Sequence, residues 1–583
     1  MNETPRDRLE TLSSFIYGEA AGKAFLIRLL ELAERERSGA ARPPARGRSR
    51  LRGSAADGPG FSERDCVLIA YGDSVLPSGE AERAGKPPLE VVRDFVARRG
   101  SDLFSYIHLL PFFPYSSDDG FSVIDYRAVD PALGAWDDIR AFAEEFDLVF
   151  DVVLNHNSAR SAPFAAFLAG EPPYASWYLT RPPDYDSSAV VRPRTHPLLT
   201  RFSRPDGSPC SVWTTFSADQ VDFDYGNPDV LLEFLSVIAF YVRSGAGMLR
   251  LDAIAYLWKE DGTPCIHHPK THAVVKLIRA FLEFLRADAK VLTETNVPHA
   301  DNIAYFGTGD EAHLVYNFAL PPLVLHAAVA EDARPLRRWA ESLEAPPPGC
   351  SFFNFLGSHD GIGLTPAAPL IGEAELAATI RKVVEKGGRV SYKAGPTGNV
   401  PYELNATYLS AVARPDVSTR TNARIFLAAH AVMLSLAGVP ALYFHSWIGS
   451  TNWSEGVALR GYNRAINRKK LPMDDLEAEL SADGSLRKLV YDGLGRLIRF
   501  RSGRPAFHPA AGQTVLPAEG PLFALVRGPD AAGRYVLCAS NFGGEERSLR
   551  YGFSGGAGEL TLQPFGTRWL EFAGGRAVAD LEL

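Results

Sequence analysis

From residue 66 onward, short apolar runs rich in β-branched and aromatic residues recur, each closing on polar residues and separated by helical or loop-rich spans. They fall at 66–71, 106–112, 148–154, 248–251, 291–293, 314–318, 352–355 and 441–444. Between several of them lie amphipathic stretches. In 228–243, Leu231, Leu232, Leu235, Ile238 and Val242 share one side at helical spacing. Strands alternating with helices predict a parallel sheet, and eight such units predict a closed (β/α)8 TIM barrel of the α/β class. Such a barrel exposes its chemistry at the carboxyl ends of its strands. The reactive residues there are Asp73, His156, Asp252, Glu294 and the His359-Asp360 pair.

The pattern changes outside the barrel. Residues 1–36 read as helical pieces, with Phe25, Leu26, Leu29, Leu30 and Leu32 on one face. Residues 38–60 are rich in Gly, Pro, Arg and Ser and read as a flexible connector. The spans 157–225 and 361–422 are too long for simple connections and read as insertions. Beyond residue 500, β-like runs at 524–527, 535–541 and 567–572 predict a small all-β unit. The expected division is therefore 1–62 (helical extension and linker), 63–499 (catalytic barrel with its insertions) and 500–583 (C-terminal β-sandwich). The apolar stretch 425–444 has the length of a membrane span, but Gly438-Val-Pro440 interrupts it. It reads as a buried helix followed by a strand.

Composition narrows the function. The 61 Lys and Arg against 69 Asp and Glu leave a net charge of −8, so no global basic field draws the chain to nucleic acid. An anionic substrate must be held by a few local cations. Five scattered cysteines without a C-x-x-C pair suggest neither a disulfide framework nor a zinc site. With no signal-peptide pattern at the first residues, the expected compartment is the cytoplasm. The cluster Cys265-Ile-His267-His268 lacks spaced partners for a metal.

The carboxylates carry the chemistry. Arg250 and Asp252 point to the same side of one strand end by the period-two rule, and an Asp beside an Arg is expected to stay ionised. Glu294 ends the next strand and Asp360 follows His359. Three acids around one barrel mouth suit an oxocarbenium-like transition state: one attacks, one protonates the leaving oxygen, one steadies charge. For the retaining form of this chemistry, the attacking and protonating carboxyls should sit roughly 5–5.5 Å apart.

The segments Asp151-Val-Val-Leu-Asn-His156, Arg250-Leu-Asp252, Glu294 and Ser358-His-Asp360 resemble the four signature regions of the α-amylase superfamily of retaining glycoside enzymes. The resemblance implies Asp252 as nucleophile, Glu294 as acid/base and Asp360 as transition-state stabiliser, with His156, Arg250 and His359 around a glucose. The loop Leu110-Pro-Phe-Phe-Pro-Tyr115 with Asp118 and Phe121, Arg468 in Ile-Asn-Arg-Lys, Arg192-Pro-Arg194, and Tyr402-Glu-Leu-Asn-Ala-Thr-Tyr408 resemble elements of the sucrose phosphorylase-like branch. They imply Asp118 and Arg468 as sugar ligands and a mobile loop, 393–408, that exchanges acceptor for phosphate. Two residues differ from sucrose phosphorylases themselves, Asn296 for His and Glu403 for Gln. The segments around Trp258, Asn296 and Tyr316 are more similar to enzymes acting on glucosylglycerate or sucrose 6-phosphate.

The expected reaction is phosphorolysis of a small α-glucoside, foremost 2-O-α-D-glucosyl-D-glycerate. Sucrose or its 6-phosphate as substrate, or a hydrolase or transglucosidase with the same site, stand as alternatives. Tyr256, Asn296, Tyr402 and Glu403 are acceptor-side candidates. Arg194 and Lys259 are phosphate candidates, Arg194 alternatively being solvated and Glu403 alternatively capping a turn. No cofactor and no metal are expected: the superfamily often holds calcium near the position of Asn155, and no acidic cage surrounds it here. The expected partners are small molecules only, and the expected assembly is a monomer or homodimer.

Overall fold

The computed structural model describes residues 3–38, 60–285, 288–395 and 398–583. Eight strands close into a barrel: β1 (Val67–Ala70), β2 (Tyr106–Leu109), β3 (Asp147–Val152), β4 (Ala246–Leu251), β5 (Lys290–Thr293), β6 (Leu314–Tyr316), β7 (Ser351–Asn354) and β8 (Val439–Tyr443). Each pairs in parallel with its sequence neighbours, and β8 closes on β1 through Val67 opposite Ala441. Every residue of these strands is buried. That is why each is a continuous apolar run: helices cover one face and the barrel interior fills the other. All eight sequence expectations fall on these strands.

The helix Pro228–Arg243 has the bounds its periodicity predicts. Asn227 accepts a hydrogen bond from the Asp229 N–H at its start, and Pro228 occupies the first turn, where no intrahelical donor is needed. The 425–444 stretch is the helix Thr419–Ser435 followed by β8. The break is steric as well as conformational. Gly438 has φ 140°, and a Cβ there would lie 2.5 Å from the Asn354 amide nitrogen and 2.8 Å from the Phe352 carbonyl oxygen.

Two helices, Pro5–Tyr17 and Glu19–Ser38, precede the barrel. Thr4 and Asp7 form a reciprocal cap at the first. Phe25, Leu26, Leu29 and Leu32 are buried, while Leu30 is only half-buried. The pair docks on the barrel helices through Arg8 with Glu283, and through Arg28 Nη1, 2.5 Å from Asp229 Oδ1. The expected connector, apart from its end residues 38 and 60, lies outside the described residues.

After the barrel, Gln513–Val515, Leu522–Arg527, Tyr535–Asn541, Thr567–Ala573 and Arg576–Glu582 form an antiparallel sheet, and Arg547–Phe553 pairs with Gly556–Leu562. The period of two sorts its residues cleanly. Phe523, Leu525, Cys538 and Trp569 join the barrel core, while Leu522, Ala524, Val526, Leu537 and Leu570 pack with Leu549, Leu560 and Leu562 of the hairpin. Buried Arg527 ties the sheet to the barrel, donating to the carbonyls of Ser435 (3.1 Å) and His508 (2.8 Å).

Candidate active site

Strand register builds the floor of the site. Asp151 of β3 lies directly opposite Arg250 of β4, so both side chains meet inside the barrel mouth. Arg250 Nη1 donates to Asp151 Oδ1 at 2.5 Å and to Asp252 Oδ1 at 2.8 Å. His108 of β2 holds the other Asp151 oxygen at 2.7 Å. The rings of Phe121 and Tyr316 flank the Arg250 guanidinium, each centroid 5.7 Å away.

The three acids stand on this floor. Directly after Asp252 the chain turns through Ala253 at φ 48°, a left-handed conformation that is costly for a residue with a Cβ. That turn aims the Ala253 N–H at Glu294 Oε2, 2.9 Å away, so the backbone following one acid positions the other. Asp360 Oδ1 is 2.6 Å from Arg464 Nη1, and His359 Nε2 is 3.5 Å from Asp360 Oδ2. His156 begins a short strand antiparallel to Gln220–Asp222, and its Nε2 lies 3.0 Å from the Phe121 carbonyl oxygen. Phe121 stacks on His359 with centroids 4.8 Å apart.

Asp252, Glu294 and Asp360 open into one cavity of about 300 Å³. Asp118, His156, Arg194, Tyr256, Asn296, His359, Tyr402 and Glu403 also line it. Asp118 and Asp119 take φ 54° and 47° in succession, a strained turn at the rim of the site. Phe216 meets Tyr256 edge-on at 5.5 Å, and Arg194 lies 5.7 Å over Phe216 and 5.1 Å over Tyr402.

Tyr402 and Glu403 are consecutive, and in a regular strand they would face opposite ways. Here Ser391 pairs with Glu403 and Tyr392 with Pro401, so Tyr402 is the extra residue of a bulge. The bulge turns both side chains into the cavity. The span expected as a mobile loop is thus largely a hairpin, Arg389–Gly395 with Gly398–Asn405, joined by Ile362–Gly363 into a three-stranded sheet. Glu403 caps no turn. It is buried and held by Arg464, with Nη2 at 2.7 Å and Nε at 3.1 Å, while Thr407 caps the following helix.

Burial raises the Asp252 carboxyl to about 8; the Glu294, Asp151 and Asp360 charges add to this and Arg250 opposes it. The Arg250 contact alone therefore does not make Asp252 an ordinary ionised carboxylate, as the sequence suggested it would. The reason is that Arg250 is shared: Asp151, despite complete burial, is kept at about 2 by His108 and Arg250 and takes up much of that positive charge. Burial raises Glu294 as well. Asp252 and Glu294 titrate as a pair that keeps one proton at neutral pH. Asp252 keeps the 2.8 Å contact with Arg250, which steers the negative charge to it and the proton to Glu294. Asp360 is different: against the effect of burial, Arg464, His359 and Arg468 hold it well below the usual carboxylate range.

Three expected ligands do not line the cavity. Arg250 is the floor itself, 2% exposed. Arg468 is buried behind the wall, donating to the His359 carbonyl at 2.8 Å and to Asp119 Oδ2 at 2.7 Å, with Asp118 3.8 Å away. It holds Asp119 and the His359 backbone rather than lining the cavity. Lys259 is corrected outright as a phosphate contact: its Nζ is 2.7 Å from Asp222 Oδ2 and 2.6 Å from Asn155 Oδ1. Its charge is spent there, filling with an ammonium the place beside Asn155 where a cation was considered. Among the described residues no group of three or more His, Cys, Asp and Glu could hold a metal ion. Asp73, at the end of β1, pairs with Lys470 and stays outside the cavity.

The residue that sequence reasoning missed is Arg464, which joins Asp360 to Glu403 and lines the cavity. Its signal was available: Arg464 and Arg468 are four apart in one short segment, so both can turn toward the same acids.

A parallel barrel whose mouth gathers an Arg-paired Asp and a Glu directly after two strands, and a second Asp in the loop after a third, defines a glycoside-acting enzyme of the α-amylase type. Comparison agrees. The family described as alpha amylase, catalytic domain, matches residues 103–361. A glucosylglycerate phosphorylase from Spirochaeta thermophila is 48% identical over 540 residues, covering 92% of this chain and 89% of that protein. A second protein of that name, from Allomeiothermus silvanus, is 46% identical over 482 residues, covering 82% and 85%. The crystal structure of sucrose 6F-phosphate phosphorylase from Thermoanaerobacter thermosaccharolyticum shares the fold, with a TM-score of 0.74 at 24% identity, covering 89% of this chain and 98% of that one. The chain belongs to the α-amylase superfamily, in its branch of glycoside phosphorylases.

Proposed function

We propose that the protein is a retaining phosphorylase that cleaves 2-O-α-D-glucosyl-D-glycerate with inorganic phosphate, giving α-D-glucose 1-phosphate and D-glycerate. The observation that carries the reading is the Asp252–Glu294 pair, linked through the Ala253 N–H, beside a cavity that also holds cations with no carboxylate partner among the described residues. The identity to two glucosylglycerate phosphorylases supports the acceptor. In this reading Asp252 attacks the anomeric carbon while Glu294 gives its proton to the glycerate oxygen. Asp360 and His359 bear on the charge developing in the ring, and His156 and Asp118 take sugar hydroxyls. Phosphate then enters from the vacated side and displaces Asp252, so two inversions give net retention. Arg194 and Tyr402 would hold the phosphate, the Arg fork matching two of its oxygens.

The test is phosphate dependence. Glucose 1-phosphate is expected to form only with phosphate present, and glucose release without it is expected to be slow by comparison. Glucose appearing at an equal rate without phosphate would make the protein a hydrolase.

The paired carboxyls also set a pH profile. Loss of the shared proton removes the general acid, so kcat/KM should fall as pH rises through about 8, where the Asp252–Glu294 pair, raised by burial, gives it up. On the acid side a second proton neutralises the nucleophile, and because burial raises both carboxyls that limb should lie above the ordinary carboxylate range. Activity undiminished well above pH 8 would contradict the shared-proton assignment. We also place the protein in the cytoplasm, consistent with five unpaired cysteines and with no helix among the described residues long and apolar enough to cross a membrane. A monomer or homodimer is the expected assembly, which sedimentation would test.

A further inference from the structure

The charges around the cavity divide into two sets. At its sugar end every arginine is matched: Arg250 with Asp151 and Asp252, Arg464 with Asp360 and Glu403, Arg468 with Asp119. At its outer end Arg192, Arg194 and Lys393 line the wall, and among the described residues none has a carboxylate within ion-pair distance. The acid nearest them along the hairpin, Glu403, is already neutralised by Arg464. The remaining acid of this end, Asp301, lies exposed at the rim.

Lys393 is the member of this set with a defined direction. It sits on the strand Arg389–Gly395, next to Tyr392, whose side chain is half-exposed. Lys393 lines the cavity, and its Nζ donates to Thr365 Oγ1 at 3.2 Å. Thr365 follows the strand Ile362–Gly363, where the absence of a side chain at Gly363 lets the Asn296 amide pack against the backbone. A Cβ there would be 2.6 Å from the Asn296 nitrogen. Asn296 Oδ1 is buried and has no hydrogen-bond partner among the described residues. Burial lowers Lys393, the mark of an ammonium that has lost water without gaining a countercharge. A part-buried cation, an orphaned amide oxygen and a hydroxyl at one wall form a site for a small anion that also bears hydroxyl groups.

We propose that Lys393, steadied by Thr365, is the anchor for the acceptor's carboxylate, and that Asn296 beside it accepts from an acceptor hydroxyl, so that the cavity selects small 2-hydroxy acids over uncharged polyols. This rests on the phosphorylase reading above and assigns the two anions of that reaction to different cations. Arg194, over Phe216 and Tyr402, offers the fork that suits phosphate. Lys393 offers a point charge that suits a carboxylate.

The experiment uses α-D-glucosyl fluoride, an uncharged donor, with D-glycerate, glycerol or phosphate as acceptor, in wild type and in Lys393→Met and Lys393→Arg. In Lys393→Met the KM for glycerate should rise roughly tenfold or more, as expected when one charge-assisted contact is lost. The KM values for glycerol and phosphate should stay within about twofold, and Lys393→Arg should restore part of the glycerate affinity. An unchanged glycerate KM would overturn the proposal. So would an equal rise for phosphate, which would mean a general positive field, and so would loss of fluoride hydrolysis, which would place Lys393 in the sugar site. Failure of the underlying reading is separately visible: the wild type itself would then use glycerate no better than glycerol.

Discussion

Asp252→Ala should lose turnover by roughly 10⁴-fold or more while keeping its fold, because a group that forms a covalent bond to the substrate has no substitute in its neighbours. Structure favours a folded variant. Asp252 lies at the end of β4, and Arg250, its partner, keeps Asp151 as a countercharge at 2.5 Å. The substitution removes one of two carboxylates on that guanidinium, so no buried charge is left without a partner. Steady-state kinetics with thermal unfolding on the same sample checks this. Near-normal activity would assign the nucleophile elsewhere, and an unfolded variant would show that the Arg250 network needs both acids.

The second large effect depends on the donor and the acceptor together. Glu294→Gln should lower phosphorolysis of glucosylglycerate about 10²- to 10⁴-fold, the usual contribution of a positioned proton donor. With α-D-glucosyl fluoride the leaving group departs without a proton, so the glucosyl enzyme should still form. Phosphate, already an oxyanion, needs no base to attack it, whereas the glycerate hydroxyl does. The variant is therefore expected to make glucose 1-phosphate from the fluoride and phosphate at a rate near wild type, yet to make little glucosylglycerate from the fluoride and glycerate. Equal losses in both reactions would mean that Glu294 only shapes the cavity. The Ala253 N–H, 2.9 Å from Glu294 Oε2, can donate equally to an amide oxygen, so the variant should keep its geometry.

Much of this was legible in the chain because a parallel barrel writes itself plainly. Its strands are buried on both sides, so each is an unbroken apolar run, and its reactive side chains stand where those runs end. Asp252, Glu294, His359 and Asp360 could be found in this way. What was hidden depended on contacts rather than position. Lys259 resembled an available cation until Asp222 and Asn155 were seen to enclose it. Arg464 lay two residues before the motif Ile466-Asn-Arg-Lys469, which drew attention to Arg468 instead. The hairpin strands Arg389–Gly395 and Gly398–Asn405 were obscured by the sequence Gly395-Pro-Thr-Gly398, whose composition reads as loop. The bulge that turns Tyr402 and Glu403 to the same side leaves no mark in periodicity at all. The upward shift of the Asp252–Glu294 pair could be read only once Asp151 is known to draw on the same arginine.

The claim on which the mechanism stands is that glucose is held on Asp252 between two displacements. The most direct measurement is the anomeric configuration of the glucose 1-phosphate first released, followed by proton NMR before any mutarotation of secondary products. The α-anomer is expected from an α-glucoside donor; the β-anomer would mean a single displacement and no bond to Asp252.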